Sequence, residues 1–228
     1  MVHVHLHWNL ASPRNGLMQQ LGICHPRTLV FNDLEAALGR WNRWPEFAQT
    51  GTRRQRSTHV SFDSAEGLVR LLRERPDLWL PDNLLLLQEY VEYDSSRGIV
   101  RVEFLGGEML YAMRVVSHGA FNLCPSEVCN PEGGGASHCD VPVRPVEFYP
   151  FKDVPAAAVE AGAKLMAAGH LDVGAVEYLE ALDGRRVFYD INANSNLRTP
   201  IGKAFGFDPF ERVVDFLVAC IQGSQPRQ

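Results

Sequence analysis

Glu177, Asp190 and Asn192 flank an Asp183-Gly184 pair that reads as a hairpin turn. If Asp183 and Gly184 form a two-residue loop, Leu182 faces Arg185. Counting outwards then sets Glu177 directly opposite Asp190, with Asn192 two residues further along the same face. Like charges facing each other across a sheet repel, so the pair calls for a cation or a shared proton. Carboxylate and amide oxygens with room left for phosphate and water suit Mg²⁺. A solvated face carrying two unrelated acids is the other reading of the same spacing.

A second turn, Gly106-Gly107, supports the same count in a second hairpin. Leu105 pairs with Glu108 and Arg101 with Ala112, which makes Arg114 a diagonal neighbour of Arg101 on one face. Two adjacent guanidiniums suit the oxygens of a phosphate. Glu103 shares that face and offers the alternative, an ordinary ion pair. An acidic oxygen cluster and an arginine pair in one domain together predict Mg²⁺ with a polyphosphate, hence a nucleotide.

The elements that must carry these residues follow from periodicity. Strands are expected over Asn83–Val91, Ile99–Leu105, Met109–Val116, Gly174–Leu182 and Arg185–Asn192. Asp33 can cap a short helix running through Arg40, and Asp63 or Ser64 can cap another with Glu66 near its third position. Pro155–Gly169 and Asp208–Ile221 read as further helices, the second amphipathic through Phe210, Val213, Val214, Phe216, Leu217 and Cys220. Hairpins alternating with helices predict an α+β domain with mixed or antiparallel sheets. Residues 47–60 show no sustained period and read as a loop.

Composition narrows the function classes. The chain has 228 residues, 46% of them hydrophobic and 21% charged, which excludes a disordered chain, a coiled coil and a fibre. A net charge of −5 argues against nucleic-acid binding through a basic surface. No apolar run approaches the roughly 20 residues of a membrane span, and the N-terminus lacks the pattern of a secretory signal, so a cytoplasmic location is expected. Five cysteines, an odd number without framework spacing, fit reduced thiols. Cys124, Cys129, His138 and Cys139 lack the paired short spacings of a zinc site. His3, His5 and His7 read as a frayed terminus or a partly exposed strand, and Gly133-Gly134-Gly135 as a flexible insertion.

In order and spacing, Leu87–Val91, Arg101–Glu108, Met113-Arg114, Val176–Tyr178 and Tyr189–Asn192 resemble the ATP-grasp fold, especially its RimK-like carboxylate-amine ligases. The resemblance covers about residues 84–220. It implies two α+β lobes clasping a nucleotide: a remnant N-terminal segment over 1–32, a small lobe over 33–86, aberrant at 47–60, and a large lobe with the metal site over 87–228. It further implies that Gln88, Glu89, Tyr90 and Val91 read adenine largely through backbone groups, with Glu92 or Asp94 near the ribose. Arg101 and Arg114 would contact phosphates or the acyl-phosphate, and Glu177, Asp190 and Asn192 would hold Mg²⁺, or Mn²⁺ in its place. The implied activity is a carbon–nitrogen ligase: ATP activates a carboxylate as an acyl-phosphate, which an amine attacks. Its partners would be ATP and small carboxylate and amine substrates or a peptide terminus, with a homo-oligomer allowed.

Two departures from that family define an alternative. Few residues precede the matching region where the family has a further N-terminal domain. The family's small lobe also carries Lys-Pro and a Gly-rich phosphate loop, whereas the first lysine here is Lys152. With suitable codons, reading Gln49-Thr50 and Arg53–Ser57 one nucleotide later restores Lys-Pro and Gly-Gly-Ser-Gly-Ala. If the segment is instead genuine, the chain is a degenerate, inactive nucleotide-binding or structural remnant.

Overall fold

A computed structural model describes residues 2–5, 11–41, 59–62, 64–74, 85–117 and 146–223. In chain order the first elements are β1 (Val2–His5), α1 (Ala11–Gln20), β2 (Thr28–Phe31), α2 (Leu34–Trp41), β3 (His59–Phe62), α3 (Ala65–Glu74) and β4 (Leu85–Glu89). There follow β5 (Ile99–Leu105), β6 (Glu108–Val116), β7 (Glu147–Pro150), α4 (Ala156–Ala168), β8 (Val173–Glu180), β9 (Arg186–Asn192), α5 (Thr199–Ala204) and α6 (Pro209–Ile221). Among the described residues no helix is long and apolar enough to cross a membrane.

The chain divides into two units, Met1–Gly16 with His25–Glu92, and Leu17–Cys24 with Tyr93–Gln228. The smaller unit holds a four-stranded sheet in the order β2-β4-β1-β3, every pairing antiparallel. β1 lies inside this sheet, between β4 and β3. Short polar side chains begin the two helices, as their sequence predicts. Asp33 Oδ1 accepts from the Ala36 N–H at 2.7 Å and Ser64 Oγ from the Gly67 N–H at 3.1 Å, each satisfying a donor that the helix cannot. Ser64 is therefore the cap of α3, and Glu66 sits at the second helical position. His59 and Val60 begin β3; the remainder of 47–60 lies outside the described residues, as do Cys124, Cys129, His138, Cys139 and Gly133–Gly135.

The larger unit holds a five-stranded antiparallel sheet in the order β7-β6-β5-β8-β9. One face is apolar: Val100, Val102 and Phe104 of β5, Ala112 of β6, Val176 and Tyr178 of β8, and Phe188 and Ile191 of β9 form the core with Ala158, Leu165 and Met166 of α4. α4 comes close because Gly162 faces the sheet. A Cβ there would stand 2.6 Å from the Phe104 ring, which no neighbour could accept without moving. Met18 and Ile23 join this core from the Leu17–Cys24 segment, whose Cys24 carbonyl accepts the Phe188 N–H at 2.9 Å on the outer edge of β9. Cys24 and Cys220 are free thiols.

The opposite face of the sheet is polar and still buried. Arg101, Glu103 and Glu177 are all at most 3% exposed. α5 packs against β6 and β7, and the Tyr111 ring lies 6.0 Å from Phe205 and 6.4 Å from Phe207. In α6, capped by Asp208 at the Phe210 N–H, the expected amphipathic stripe turns outward: Phe210, Val214 and Leu217 are exposed.

Candidate functional site

Hairpin geometry places the candidate residues. The Asp183-Gly184 turn is one residue longer than the two-residue loop expected, since the Ala181 N–H donates to the Arg185 carbonyl at 2.8 Å and Gly184 takes a positive φ of 87°. This is a three-residue loop closed by a left-handed glycine. The longer loop alone would move Glu177 away from Asp190. A β-bulge between Glu177 and Tyr178 restores the register, so that Tyr178 pairs with Phe188 and Glu177 with Asp190. Tyr189 is the extra residue of that bulge.

Gly106-Gly107 forms the expected two-residue turn, with φ of 60° and 84°. Here a bulge between Glu103 and Phe104, with Leu110 as the extra residue, shifts the register once and nothing compensates. Arg101 consequently pairs with Met113, and Arg114 with Val100. The expected same-face pair of arginines does not form: one shift sends Arg114 to the apolar face of the sheet. There Arg114 donates to Glu180 at 3.0 Å and to the Arg97 carbonyl at 3.3 Å, and its guanidinium lies 4.3 Å over the Phe151 ring.

On the polar face Arg101, Glu177 and Asp190 form one row across β5, β8 and β9, with Asn192 one register step away opposite Ala175. Arg101 is held three ways. Its Nε donates to Glu103 Oε1 at 2.6 Å, its Nη1 to Glu177 Oε1 at 2.7 Å and its Nη2 to the Asn194 carbonyl at 3.3 Å. Burial alone would lower the guanidinium's pKa, but the Glu103 and Glu177 carboxylates raise it above its ordinary value, so it stays charged. The Tyr189 hydroxyl donates to Glu177 Oε2 at 2.8 Å; burial first, and then Glu177, push its pKa well above the ordinary value, so it remains a donor. Asn192 Nδ2 donates to Asp190 Oδ2 at 2.9 Å and to Glu177 Oε1 at 3.5 Å, bridging the two acids.

One guanidinium is shared between the carboxylates of Glu103 and Glu177, and among the described residues Glu103 Oε2 is buried without a hydrogen-bond partner. Two carboxylates against one guanidinium leave negative charge that a cation would answer, and the oxygens are hard donors of the kind Mg²⁺ takes. Among the described residues no three or more Asp, Glu, His or Cys side chains are placed to hold a metal ion by themselves. The residues that could hold one are two carboxylates and the Asn192 amide, whose oxygen would turn towards an ion if the amide were flipped.

The remaining predicted residues lie elsewhere. Gln88 and Glu89 end β4 in the smaller unit, where Gln88 Nε2 donates to Thr28 Oγ1 at 2.9 Å and Glu89 Oε2 accepts from the Arg27 backbone N–H at 3.1 Å. Tyr90 is half-buried and Val91 buried, both past the end of the strand; burial, then Glu92, raises the Tyr90 pKa. Asp94, in the larger unit, accepts from the Ser96 hydroxyl at 2.6 Å and from its N–H at 2.9 Å, and these bonds lower its pKa. Sequence reasoning missed Tyr189 and Asn194, whose roles depend on a bulge and on a loop crossing the sheet. It also missed Tyr111, whose hydroxyl accepts the Arg198 N–H at 2.9 Å. A pocket of about 500 Å³ opens beside that bond, lined by Phe148, Arg198, Ile201 and Phe210 among others.

By sequence, neither a protein-family model nor a curated protein matches the chain. By structure it is similar to the ATP-grasp ligase PsnB in complex with a minimal precursor, with a TM-score of 0.61 and 19% identity over 92% of this chain and 61% of that one. It is also similar to the macrocyclase MdnC from Microcystis aeruginosa MRC bound to the precursor peptide MdnA, with a TM-score of 0.58 and 16% identity over 95% of this chain and 62% of that one. A third similar structure is the D-alanine-D-alanine ligase from Coxiella burnetii, with a TM-score of 0.60 and 9% identity over 94% of this chain and 58% of that one. The chain spans about three-fifths of the length of each. Antiparallel sheets in two α+β units, with this likeness, give the chain the ATP-grasp fold.

Proposed function

We propose that the chain is an ATP- and Mg²⁺-dependent carboxylate-amine ligase of the RimK-like kind, activating a carboxylate as an acyl-phosphate for attack by an amine. The observation that carries this reading is the meeting of buried Glu177 with half-buried Asp190 and Asn192 on one face of the sheet, on a fold whose relative PsnB has been seen with Mg and ADP. Glu177, Asp190 and Asn192 hold the metal, which when bound neutralises phosphate charge. Backbone groups of Gln88–Val91 read the adenine, and Asp94 lies near the ribose. The protein's contribution is positioning and charge neutralisation.

The internal pairings change the part given to the arginines. Arg101, committed to Glu103 and Glu177, holds the metal carboxylate in place, and Arg114 belongs to a separate cluster with Glu180. PsnB and MdnC were seen with precursor peptides, which supports a peptide as one substrate. The absence of lysine before Lys152 favours a second reading, a remnant that lacks the phosphate grip. Titration with ATP in the presence and absence of Mg²⁺ separates the two. The ligase reading expects Mg²⁺-dependent binding that Asp190→Asn weakens by at least about 10-fold; no binding at millimolar nucleotide refutes it.

A further inference from the structure

Glu177 is held by groups that the expected hairpin register does not bring to it. In an unbroken strand Tyr189 would point away from the face that carries Asp190. The bulge makes Tyr189 the residue without a cross-strand partner and re-aims its side chain, so that the phenol and the Asp190 carboxylate share one side of β9. The phenol ends 2.8 Å from Glu177 Oε2, while Arg101 holds Oε1 from β5 at 2.7 Å. A donor on each oxygen, one from each neighbouring strand, leaves the carboxylate no free rotation.

We infer that Tyr189 is a positioning residue for the cation, acting with Arg101 as a two-sided clamp that sets the plane of the Glu177 carboxylate against Asp190 and Asn192. The inference rests on the metal reading proposed above. Arg101 supplies charge balance, and Tyr189 supplies orientation without adding charge. A carboxylate offers about four lone-pair sites, so the two clamping bonds leave sites for an ion. Losing the phenol hydroxyl frees Oε2 to swing, and the ion meets a ligand that must first be ordered. Groups that hydrogen-bond a metal ligand in this way are worth about 10- to 100-fold in metal affinity.

The test is Mn²⁺ binding to the full chain, followed by electron paramagnetic resonance of the free ion, with ADP binding in the absence of metal and thermal melting as companions. Tyr189→Phe is expected to weaken Mn²⁺ binding by about 10-fold or more while metal-free ADP binding stays as in the wild type. In a Glu177→Gln background the same substitution is expected to add nothing, because its effect runs through Glu177. Unchanged Mn²⁺ affinity in Tyr189→Phe, with Asp190→Asn defective, overturns the role of Tyr189 alone. Equal losses in both backgrounds also overturn it. A wild type without Mn²⁺ affinity, or an Asp190→Asn variant that binds like the wild type, sinks the metal reading and this inference with it. Should Tyr189→Phe not fold, a fluorinated tyrosine at 189 keeps the shape and alters only the hydroxyl's acidity. A shift in Mn²⁺ affinity at constant melting temperature then supports the clamp, and no shift refutes it.

Discussion

The β5–β6 and β8–β9 hairpins begin from equally good turn signals and end with opposite outcomes. In β8–β9 the loop is one residue longer than its Asp-Gly sequence suggests and a bulge at Tyr189 cancels the difference, so Glu177 still meets Asp190. In β5–β6 the loop is as short as its glycines predict, and a single bulge at Leu110 turns Arg114 to the far side. Two register shifts preserve a face and one inverts it, because side chains alternate with a period of two. The arginine that stays on the polar face is sealed between two glutamates, and the one that leaves it becomes part of a half-buried cluster with Glu180.

That contrast predicts unequal costs for the two arginines. Arg101→Ala leaves Glu103 and Glu177 buried without their cation, and a loss of about 3–5 kcal/mol in denaturant-induced unfolding is expected. A loss under 1 kcal/mol would show that water or another cation already balances those acids. Two buried tyrosines, one on each face of the sheet, give a second comparison. Burial pushes both Tyr111 and Tyr178 up to about 12 from 10.0; the Arg198 N–H lowers the first against that trend, and Glu180 adds to the rise of the second. Both hydroxyls hold their proton more tightly in the folded chain. Their contribution is therefore complete below pH 10 and is lost as pH rises towards about 12, a loss that alkaline unfolding curves of the Tyr→Phe variants should diminish.

At neutral pH the same two variants separate by partner. Tyr111→Phe orphans the Arg198 N–H and is expected to cost about 1–3 kcal/mol, whereas the Tyr178 hydroxyl has no hydrogen-bond partner among the described residues and its removal is expected to be neutral or stabilising. Equal changes in melting temperature for the two would contradict this. The smallest effect is expected for Arg114→Ala: partners that remain partly open to solvent limit the loss to about 0–1 kcal/mol, and a larger value would show that its stacking on Phe151 matters more than its ion pair.

Much of the fold is legible in the chain. Asp33, Ser64 and Asp208 announce helix starts because a side-chain acceptor at that place relieves an unpaired N–H, a local requirement that a local pattern can express. Gly106-Gly107 announces its turn for the same reason. β3 is less legible, since four alternating residues, His59–Phe62, are too short a run to stand out and become a strand by pairing with β1, far away in sequence. β1 itself, at the start of the chain, sits inside the smaller sheet on long-range pairings alone.

The site divides in the same way. Residue types and spacing determined that Glu177, Asp190 and Asn192 carry oxygen donors in one hairpin, and that apolar residues on β5, β8 and α4 cover one face of its sheet. Tertiary structure decided which face each arginine occupies, that the polar face is buried, and that Tyr189 reaches Glu177. The reason is physical: composition and period are properties of neighbouring residues, whereas a bulge forms where two strands with different demands must pack on one core, and its position is settled only when both are in place.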